Sequence, residues 1–373
     1  MSENKICVYA ICKNEEQFVD RWYESMKEAD YVVVLDTGST DNTVAKLKEH
    51  NVKVEVKEIN PWRFDVARNE SLKLVPDDAN ILVCTDLDEI LEPGWADILR
   101  QNWLDGLHER CIYSYAWSHL PNGEPGRVFQ YDKIHSRSWI WKYPVHELLW
   151  NINTDSNLYP DGTVLNLFDY IKLHHYPDMN KSRGSYLQLL ELRAKEDPED
   201  YYGLIYLAHE YYYRGYYTNA INTLNIVLNN HLNKCTKVEH ASCYLFMGDS
   251  YISLNKYPEA INCYKTAINI DATYREPYIN LAKALMNIGN NFEAIHYLKA
   301  SLKNSFRHYT WLERDTSWSY EPYDLLCLAS FYTGNKKDSI IYAAKALSFE
   351  PNNSRLQENL NLCVENSTDN EIL

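Results

Sequence analysis

The chain has 373 residues, with 52 acidic and 37 basic side chains and a formal net charge of −15. This length predicts two or three domains, and a hydrophobic content of 45% is enough to bury full-sized cores, which excludes a disordered chain. The acidic balance argues against a nucleic-acid partner. No run of about 18 apolar residues predicts a transmembrane segment, and no secretory leader is visible, so we expect a cytoplasmic protein.

The first hundred residues alternate short apolar runs with helical patterns. Strands are predicted at 6–11, 31–35, 52–57 and 81–84, and helices at 15–28, 42–49 and 65–73. Strands that alternate with helices predict a mostly parallel sheet, and such sheets bind ligands beyond the carboxyl ends of their strands. The polar motifs of this part of the chain fall at those ends.

A carboxylate and a turn of small residues follow the second predicted strand. Asp36 stands at the strand tip, and Asp41 stands where the next helix begins. Asp36 can accept hydrogen bonds from a nucleobase imide or a ribose hydroxyl, and Asp41 can cap the helix. The alternative is that both side chains only cap and turn the chain.

The fourth predicted strand runs directly into the carboxylates Asp86, Asp88 and Glu89. Side chains two residues apart on an extended chain point the same way, so Asp86 and Asp88 can share one site. Two like charges favour a cation between them, and Mg²⁺ or Mn²⁺ completes its shell with phosphate oxygens and water. The motif indicates a metal and diphosphate site; a solvated acidic loop is the alternative.

From about residue 200 the chain becomes helical and repeats itself. Small residues recur at one position of each unit, and turn residues recur five positions earlier: Ala220, Ala260, Ala294 and Ser339 for the first set, and Gly215, Asn255, Gly289 and Gly334 for the second. This pattern resembles the tetratricopeptide repeat (TPR), whose unit has 34 residues. Such repeats form either a scaffold or a surface that binds an extended peptide.

Four motifs in order resemble those of family 2 glycosyltransferases of the GT-A fold. They cover residues 11–16, 35–43, 64–69 and 86–89. With the segments 143–147 and 174–176 and the fused repeats, the chain is most similar to bacterial repeat-containing members, including the sublancin-type peptide S-glycosyltransferases. The resemblance implies an α/β GT-A domain with a Rossmann-like, mostly parallel sheet at residues 1–180. An all-α tetratricopeptide-like repeat domain at 181–373 follows it.

The resemblance also implies roles for single residues. Asp36 would contact the uracil of a UDP-sugar, and Arg68 would reach the base or the phosphates. Asp86 would face the ribose and the metal, and Asp88 would bind Mn²⁺ or Mg²⁺ directly. An arginine beside a diphosphate forms charge-assisted, often bidentate hydrogen bonds, which is an independent argument for Arg68; a surface salt bridge is the alternative.

Inversion at the sugar requires a carboxylate that takes the proton of the incoming nucleophile. Glu147 stands where relatives carry their acidic base motif, so we predict that it is the base. His146 stands where many relatives have another acid, which leaves open an exchange of roles, with His146 as base or metal ligand. The alternative is a His-Glu pair that only caps a helix.

A late histidine completes the metal shell in many GT-A enzymes. His174 and His175 follow an apolar, strand-like stretch at 164–173, and the resemblance favours His175 as the ligand. A structural histidine is the alternative.

Two aromatic groups remain. Trp117, Trp139 and Trp141 form either an acceptor wall or part of the core. The aromatic segment 306–320, which lengthens one repeat, either fills the groove of the repeats or binds a partner. Nine cysteines with no CxxC pair predict reduced, mostly buried thiols and no zinc site.

The motifs together predict a metal-dependent inverting glycosyltransferase. It would move a hexose or N-acetylhexosamine from a UDP-sugar to a peptide or protein acceptor, at Ser, Thr or Cys, held by the repeats. The alternatives are a saccharide acceptor in lipopolysaccharide or capsule assembly, and a non-catalytic repeat adaptor. The absence of a glycine-rich phosphate loop leaves kinase and dehydrogenase functions without support.

Overall fold

The structure is a computed structural model that describes residues 4–120, 123–158, 162–178 and 184–368. The chain divides into two compact units, Met1–Glu196 and Asp197–Leu373. Two units of these types confirm the predicted fold class, an α/β domain followed by helical repeats. The boundary predicted between residues 180 and 181 lies outside the described residues, and the division itself comes later, after a helix that belongs to the first unit.

The first unit contains eleven strands and five helices among its described residues. The strands are β1 Ile6–Cys12, β2 Tyr31–Asp36, β3 Lys53–Val56, β4 Ile81–Thr85, β5 Glu89–Leu91, β6 Arg110–Ala116, β7 Val128–His135, β8 Trp139–Lys142, β9 Leu148–Asn151, β10 Val164–Asn166 and β11 Lys172–His175. The helices are α1 Val19–Met26, α2 Thr43–Glu49, α3 Phe64–Leu72, α4 Trp95–Asn102 and α5 Tyr186–Glu196.

Nine of these strands form one sheet in the order β3-β2-β1-β4-β7-β6-β11-β5, with β10 beside β6, and β8 and β9 form a separate hairpin. The strands β3, β2, β1 and β4 are parallel, as predicted, whereas β7 pairs antiparallel with both β4 and β6. The carboxyl ends of β1, β2 and β4 therefore lie at one edge, and β7 runs beside β4 in the opposite direction.

The central strand β1 is buried on both faces of the sheet. Ile6, Val8 and Ala10 face one core, which contains Trp22 of α1 and Trp95 of α4. The alternate residues of β1 face a second core with α3 and the β8–β9 hairpin. This alternation follows from the two-residue period of a strand and explains why β1 reads as one continuous apolar run.

The predicted strands and helices of the first hundred residues are all present, with one shortened start. The predicted helix 15–28 begins only at Val19; the residues before it form a turn in which the backbone N–H groups of Glu15 and Glu16 donate to Thr43 Oγ1 (2.7 Å) and Asp41 Oδ2 (3.2 Å). The predicted strand at 164–173 is wrong. A turn, in which Tyr170 N donates to Leu167 O (3.0 Å), separates β10 from β11.

The second unit is built from helices. They are α6 Tyr201–Tyr213, α7 Tyr217–Asn230, α8 Lys237–Ser253, α9 Tyr257–Ile270, α10 Glu276–Asn287, α11 Asn291–Lys303, α12 Glu321–Tyr332, α13 Lys336–Phe349 and α14 Ser354–Thr368. Consecutive helices pack as four pairs, and the first helices α6, α8, α10 and α12 also contact one another in that order.

The repeat anchors behave as the sequence predicts. The four small residues lie on the second helix of each pair and are completely buried. The four turn residues have left-handed backbones, and Asn255 adopts this conformation (φ 59°) where the other repeats have glycine. Small residues also permit close packing on the first helices, since a Cβ on Gly248 of α8 would lie 2.5 Å from the Tyr264 ring of α9.

Candidate active site

The carboxylate of Asp36 is buried at the end of β2. Its Oδ1 accepts hydrogen bonds from the backbone N–H groups of Gly38 (3.0 Å) and Ser39 (2.9 Å), and its Oδ2 accepts from the Ser39 hydroxyl. Asp36 therefore fixes the turn that follows β2. A contact of Asp36 with a nucleobase stays a prediction.

Arg68 of α3 is a buried cation between two candidate site carboxylates. Its Nη2 donates to Asp86 Oδ1 (3.0 Å), its Nε donates to Glu147 Oε1, and its guanidinium lies over the Trp141 ring (5.2 Å). Burial alone would lower the pKa of Arg68, but the charges of Asp86 and Glu147 outweigh burial and raise this pKa well above its ordinary value. Arg68 thus brings together two residues that lie far apart in the sequence.

Glu147 lies at the end of the loop that connects β8 to β9. Burial would raise the pKa of Glu147, but the positive charges of Arg68 and Lys133 outweigh burial and lower this pKa. The carboxylate is therefore ionised at neutral pH, which is the charge state that a base requires. Residues 148–151 form the strand β9, so the interpretation of the His-Glu pair as a helix cap is wrong.

Lys133 of β7 is a site residue that the sequence motifs did not reveal. Its side chain is 8% exposed, and its Nζ lies 3.3 Å from Asp86 Oδ2 and 3.8 Å from Glu89 Oε1. Glu89 is buried, and its carboxylate accepts from Tyr115 Oη (2.9 Å) and from Asp86 N (2.9 Å). No sequence pattern marks Lys133, because its contact with Asp86 depends on the pairing of β7 with β4.

The side chains of Asp88 and His175 lie next to each other, and metal binding by this pair stays a prediction. His175 Nε2 lies 3.4 Å from Asp88 Oδ2, and His175 Nδ1 lies 3.2 Å from the carbonyl oxygen of Trp117. His174 has different partners: its two ring nitrogens each lie 3.0 Å from their partners, His119 Nε2 and Glu92 Oε1. Of the two histidines, His175 is therefore the one beside the Asp86-Leu-Asp88 motif.

The loop before Glu147 is held by Arg193 of α5, which is buried. Arg193 Nη1 donates to the carbonyl oxygens of Val145 (3.0 Å) and His146 (2.6 Å). His146 has a left-handed backbone (φ 47°), and its ring lies edge-on to Tyr186 of α5. Such a backbone in a non-glycine residue persists where its surroundings impose it, often at a functional site.

Trp139 and Trp141 are core residues, so their interpretation as an acceptor wall is wrong. Their side chains are buried against α3 and the second core of the sheet. Trp117 is partly buried, with the Arg127 guanidinium 5.0 Å from its ring.

Comparison with protein families matches residues 7–167 to the model described as glycosyl transferase family 2. The match runs from β1 to the end of the strand β10 and includes Asp36, Arg68, Asp86, Asp88 and Glu147. The first unit is a family 2 glycosyltransferase domain. A family of this kind implies a nucleotide-sugar donor.

Residues 248–289 match the TPR repeat model, and a TPR domain implies protein interaction. Solved TPR proteins are similar to part of the chain. A TPR protein of Thermus thermophilus has 17% sequence identity over 48% of this chain and 88% of its own, with a TM-score of 0.37, and MamA has 19% identity over 48% of this chain and 99% of its own, with a TM-score of 0.37. YrrB, "a TPR protein with an unusual peptide-binding site", has 13% identity over 46% of this chain and 80% of its own, with a TM-score of 0.35. Likenesses at this level carry no information about ligands. No curated protein matches the chain.

The donor atoms of Asp88 and His175 are of the kinds that suit a divalent metal. The His175 Nδ1 contact with a carbonyl oxygen orients Nε2 towards Asp88, which is how proteins commonly hold a metal-binding histidine. Within the described ranges, no three His, Cys, Asp or Glu side chains are grouped as a complete metal site. The pair therefore fits an ion that takes its remaining ligands from the donor diphosphate and water.

Two further predictions concern the whole chain. All nine cysteines are free thiols, eight of them buried, as predicted. In the part of the chain that the structure describes, no helix is both long and apolar enough to cross a bilayer.

Proposed function

We propose that the chain is a metal-dependent inverting glycosyltransferase that moves a hexose or N-acetylhexosamine from a UDP-sugar to Ser, Thr or Cys of a peptide or protein. The observation that carries the proposal is the Arg68 bridge. It joins Asp86, a candidate donor contact, to Glu147, the candidate base, at the carboxyl edge of the sheet. The same edge carries Asp36 and the pair of Asp88 and His175.

In this proposal each residue has one task. Asp36 accepts a hydrogen bond from the uracil, Arg68 and Asp86 hold the diphosphate and ribose side of the donor, and Asp88 with His175 holds Mn²⁺ or Mg²⁺. The bound ion would supply positive charge that stabilises the departing diphosphate.

Glu147 takes the proton of the acceptor hydroxyl or thiol. The acceptor oxygen or sulfur forms a bond to the anomeric carbon as the bond from that carbon to the diphosphate oxygen breaks, and UDP leaves with the electron pair. Arg68 occupies Glu147 Oε1, so Oε2 is the oxygen that receives the proton. The role of His146 as an alternative base is the competing hypothesis.

The peptide acceptor is supported by the TPR repeats, because a sugar acceptor needs only a pocket beside the donor, whereas stacked helical pairs suit an extended chain. The likeness to sublancin-type enzymes remains part of this proposal, as does a cytoplasmic location.

The experiment is hydrolysis of a panel of nucleotide sugars without acceptor, read by release of UDP or GDP. We expect release from a UDP-sugar, and loss of release in Asp88→Asn. As a matched control, Asp97→Asn changes an exposed aspartate of α4 and should leave release unchanged. Release from GDP-sugars alone would overturn the UDP assignment, and no release from any donor, together with no UDP binding, would favour a non-catalytic adaptor.

A further inference from the structure

The segment 304–320, between α11 and α12, is much longer than the corresponding connection at 271–275 between α9 and α10. It crosses the face that the first helices build. Trp311 contacts α6, the first helix of the first pair: its indole stacks on Tyr206 (4.5 Å between centroids, 15° between planes), and its Nε1 donates to Tyr202 Oη (2.9 Å). The segment therefore ends at the start of α12, and its Trp311 contacts α6.

Polar groups of the segment also form hydrogen bonds with α10 and α12. Arg314 Nη2 donates to Asn280 Oδ1 (2.7 Å), and its backbone N–H donates to Glu276 Oε1 (2.8 Å), both on α10. Thr316 Oγ1 donates to Glu321 Oε2 (2.9 Å) of α12. The main chain of the segment also accepts bonds, from Tyr274 Oη to Leu312 O (3.1 Å) and from Arg275 Nη1 to Ser317 O (3.1 Å).

These contacts have the form of a bound peptide that turns as it crosses the helices, because residues Asp315–Trp318 form a short 3-10 helix. An aromatic ring fills a pocket of Tyr202, Tyr206 and His209, and a cation three residues later enters a region whose charged groups are mainly carboxylates. The carboxylates of Asp249, Glu276 and Glu321 all act on Arg314. Side-chain anchors and main-chain bonds together are how helical repeats hold peptides.

We propose that the face of α6, α8, α10 and α12 is a peptide-binding groove whose resident ligand is the chain's own segment 304–320. An external partner would be a peptide with an aromatic side chain followed three positions later by arginine or lysine, and it would have to displace this segment. The inference concerns the second unit alone, so it does not depend on the sugar chemistry proposed above.

A tethered ligand competes at an effective concentration in the millimolar range, so the groove is closed to weak external peptides in the unchanged chain. The test therefore removes the resident segment. In the full chain, residues 305–319 are replaced by a Gly/Ser linker of the same length. A fluorescently labelled synthetic peptide with the sequence of residues 304–320 is then added, and binding is read by anisotropy.

We expect the linker variant to bind this peptide at least roughly tenfold more tightly than the unchanged chain. A peptide carrying Trp311→Ala and Arg314→Ala is the matched control, and it should bind at least roughly tenfold more weakly. Equal binding of the two peptides, or no binding of either to a folded linker variant, would overturn the proposal.

Circular dichroism and the thermal transition show whether the linker variant folds. If it does not, the single variant Trp311→Ala of the full chain keeps the bonds of Tyr274, Arg275 and Glu276 to the segment. It weakens only the anchor on α6, so it must bind the peptide more tightly than the unchanged chain. Unchanged binding in that variant would contradict the inference.

Discussion

At the residue scale, the candidate site is ordered by buried cations. Arg68 and Lys133 approach Asp86 from two sides, and their side chains are 4% and 8% exposed. Charges this deeply buried persist only when they are paired: Asp86 and Glu147 stabilise Arg68, and Asp86 and Glu89 stabilise Lys133. The arrangement leaves Asp88, with His175 as its neighbour, as the carboxylate best suited to a metal.

Replacement of Glu147, the candidate base, tests whether proton transfer and donor binding depend on different residues. Glu147→Gln keeps the size of the side chain and removes its ability to accept a proton. We expect transfer to fall about 10²- to 10⁴-fold while UDP affinity changes little. Transfer is measured by mass shift of the acceptor, and UDP affinity by calorimetry.

Glu70→Gln is the control for that change. Glu70 lies on α3, as Arg68 does, and also pairs with cations, Lys57 and Lys73 (2.7 Å each), but on the exposed side of the domain. Transfer should be unchanged in this variant. If Glu147→Gln transfers within a few-fold of the unchanged chain, the role of base moves to His146.

Lys133 should matter for stability as well as for the site. Lys133→Met leaves Glu89 without its buried cation and leaves Asp86 with Arg68 alone, and we expect a loss of at least about 1–3 kcal/mol in the free energy of unfolding. Lys133→Arg keeps the charge and should lose less. Urea denaturation measures both.

The matched control for Lys133 is Lys73→Met, because Lys73 is 68% exposed and pairs with Glu70 at the surface. The urea concentration at which Lys73→Met unfolds should equal that of the unchanged chain. A Lys133→Met chain as stable as this control would contradict a structural role for the Lys133 charge.

The sequence predicted the carboxylates of the site but not all of its cations. Asp36, Asp86 and Asp88 follow apolar strands, and the carboxyl ends of parallel strands share an edge. No comparable sequence rule points to Lys133 or Arg193. Lys133 reaches Asp86 only because β7 is inserted antiparallel beside β4, and Arg193 contacts a loop 47 positions earlier, so both depend on tertiary pairing.

At the element scale, α10 begins with a buried carboxylate. Glu276 is completely buried, and burial raises its pKa from the ordinary 4.5 to about 7. The backbone N–H and the charge of Arg314 act in the opposite direction, and the charge of Glu313 adds to the rise. The folded state therefore binds this proton more tightly than the unfolded state does.

The sign of the pH dependence follows from this difference. The stabilising contribution of protonated Glu276 is complete below about pH 4.5 and is lost as the pH rises through about 7. The loss is roughly 3 kcal/mol, since each unit of pKa difference corresponds to about 1.4 kcal/mol. We expect α10 to be less protected at pH 8 than at pH 5.

Hydrogen–deuterium exchange of α10, corrected for the intrinsic pH dependence of exchange, measures this effect. Glu276→Gln should remove most of the pH dependence, because it has no proton to lose. Glu259→Gln, at an exposed position in the first turn of α9, should leave it in place. Equal pH dependence in all three chains would contradict the account of Glu276.

Helices and turns of the repeats were predictable because the same small and turn residues recur in every unit. The course of the segment 304–320 was not. Its composition indicates aromatic contacts but not their partners, and Trp311 meets residues more than 100 positions away. The start of α1 was missed for a similar reason, since its first predicted turn is bonded to Asp41 in the loop after β2 and to Thr43 at the start of α2.

At the scale of the whole molecule, the two units have separate cores, which the alternating and the repetitive parts of the sequence predicted. The division after Glu196 gives α5 to the glycosyltransferase domain, because Arg193 fixes the loop that carries Glu147. The boundary predicted after residue 180 rested on the extent of the family resemblance, which does not reveal this contact.

A fragment of residues 1–196 should therefore keep donor hydrolysis and lose transfer to a polypeptide acceptor. A fragment of residues 1–180 lacks α5 and should lose hydrolysis as well. Circular dichroism and UDP binding establish that the longer fragment is folded. Transfer by the fragment 1–196 at the rate of the full chain would favour a saccharide acceptor.

The central claim is that a nucleotide-sugar donor binds through a metal at Asp88 and His175. Calorimetric titration of the full chain with UDP, in Mn²⁺ and again after EDTA, tests this claim most directly. We expect an affinity at least roughly tenfold lower after EDTA, because Asp88 would then face the diphosphate without a metal ion. We also expect Asp88→Asn to lose the difference in UDP affinity between the two conditions. Equal UDP affinity in Mn²⁺ and in EDTA for the unchanged chain would contradict the claim.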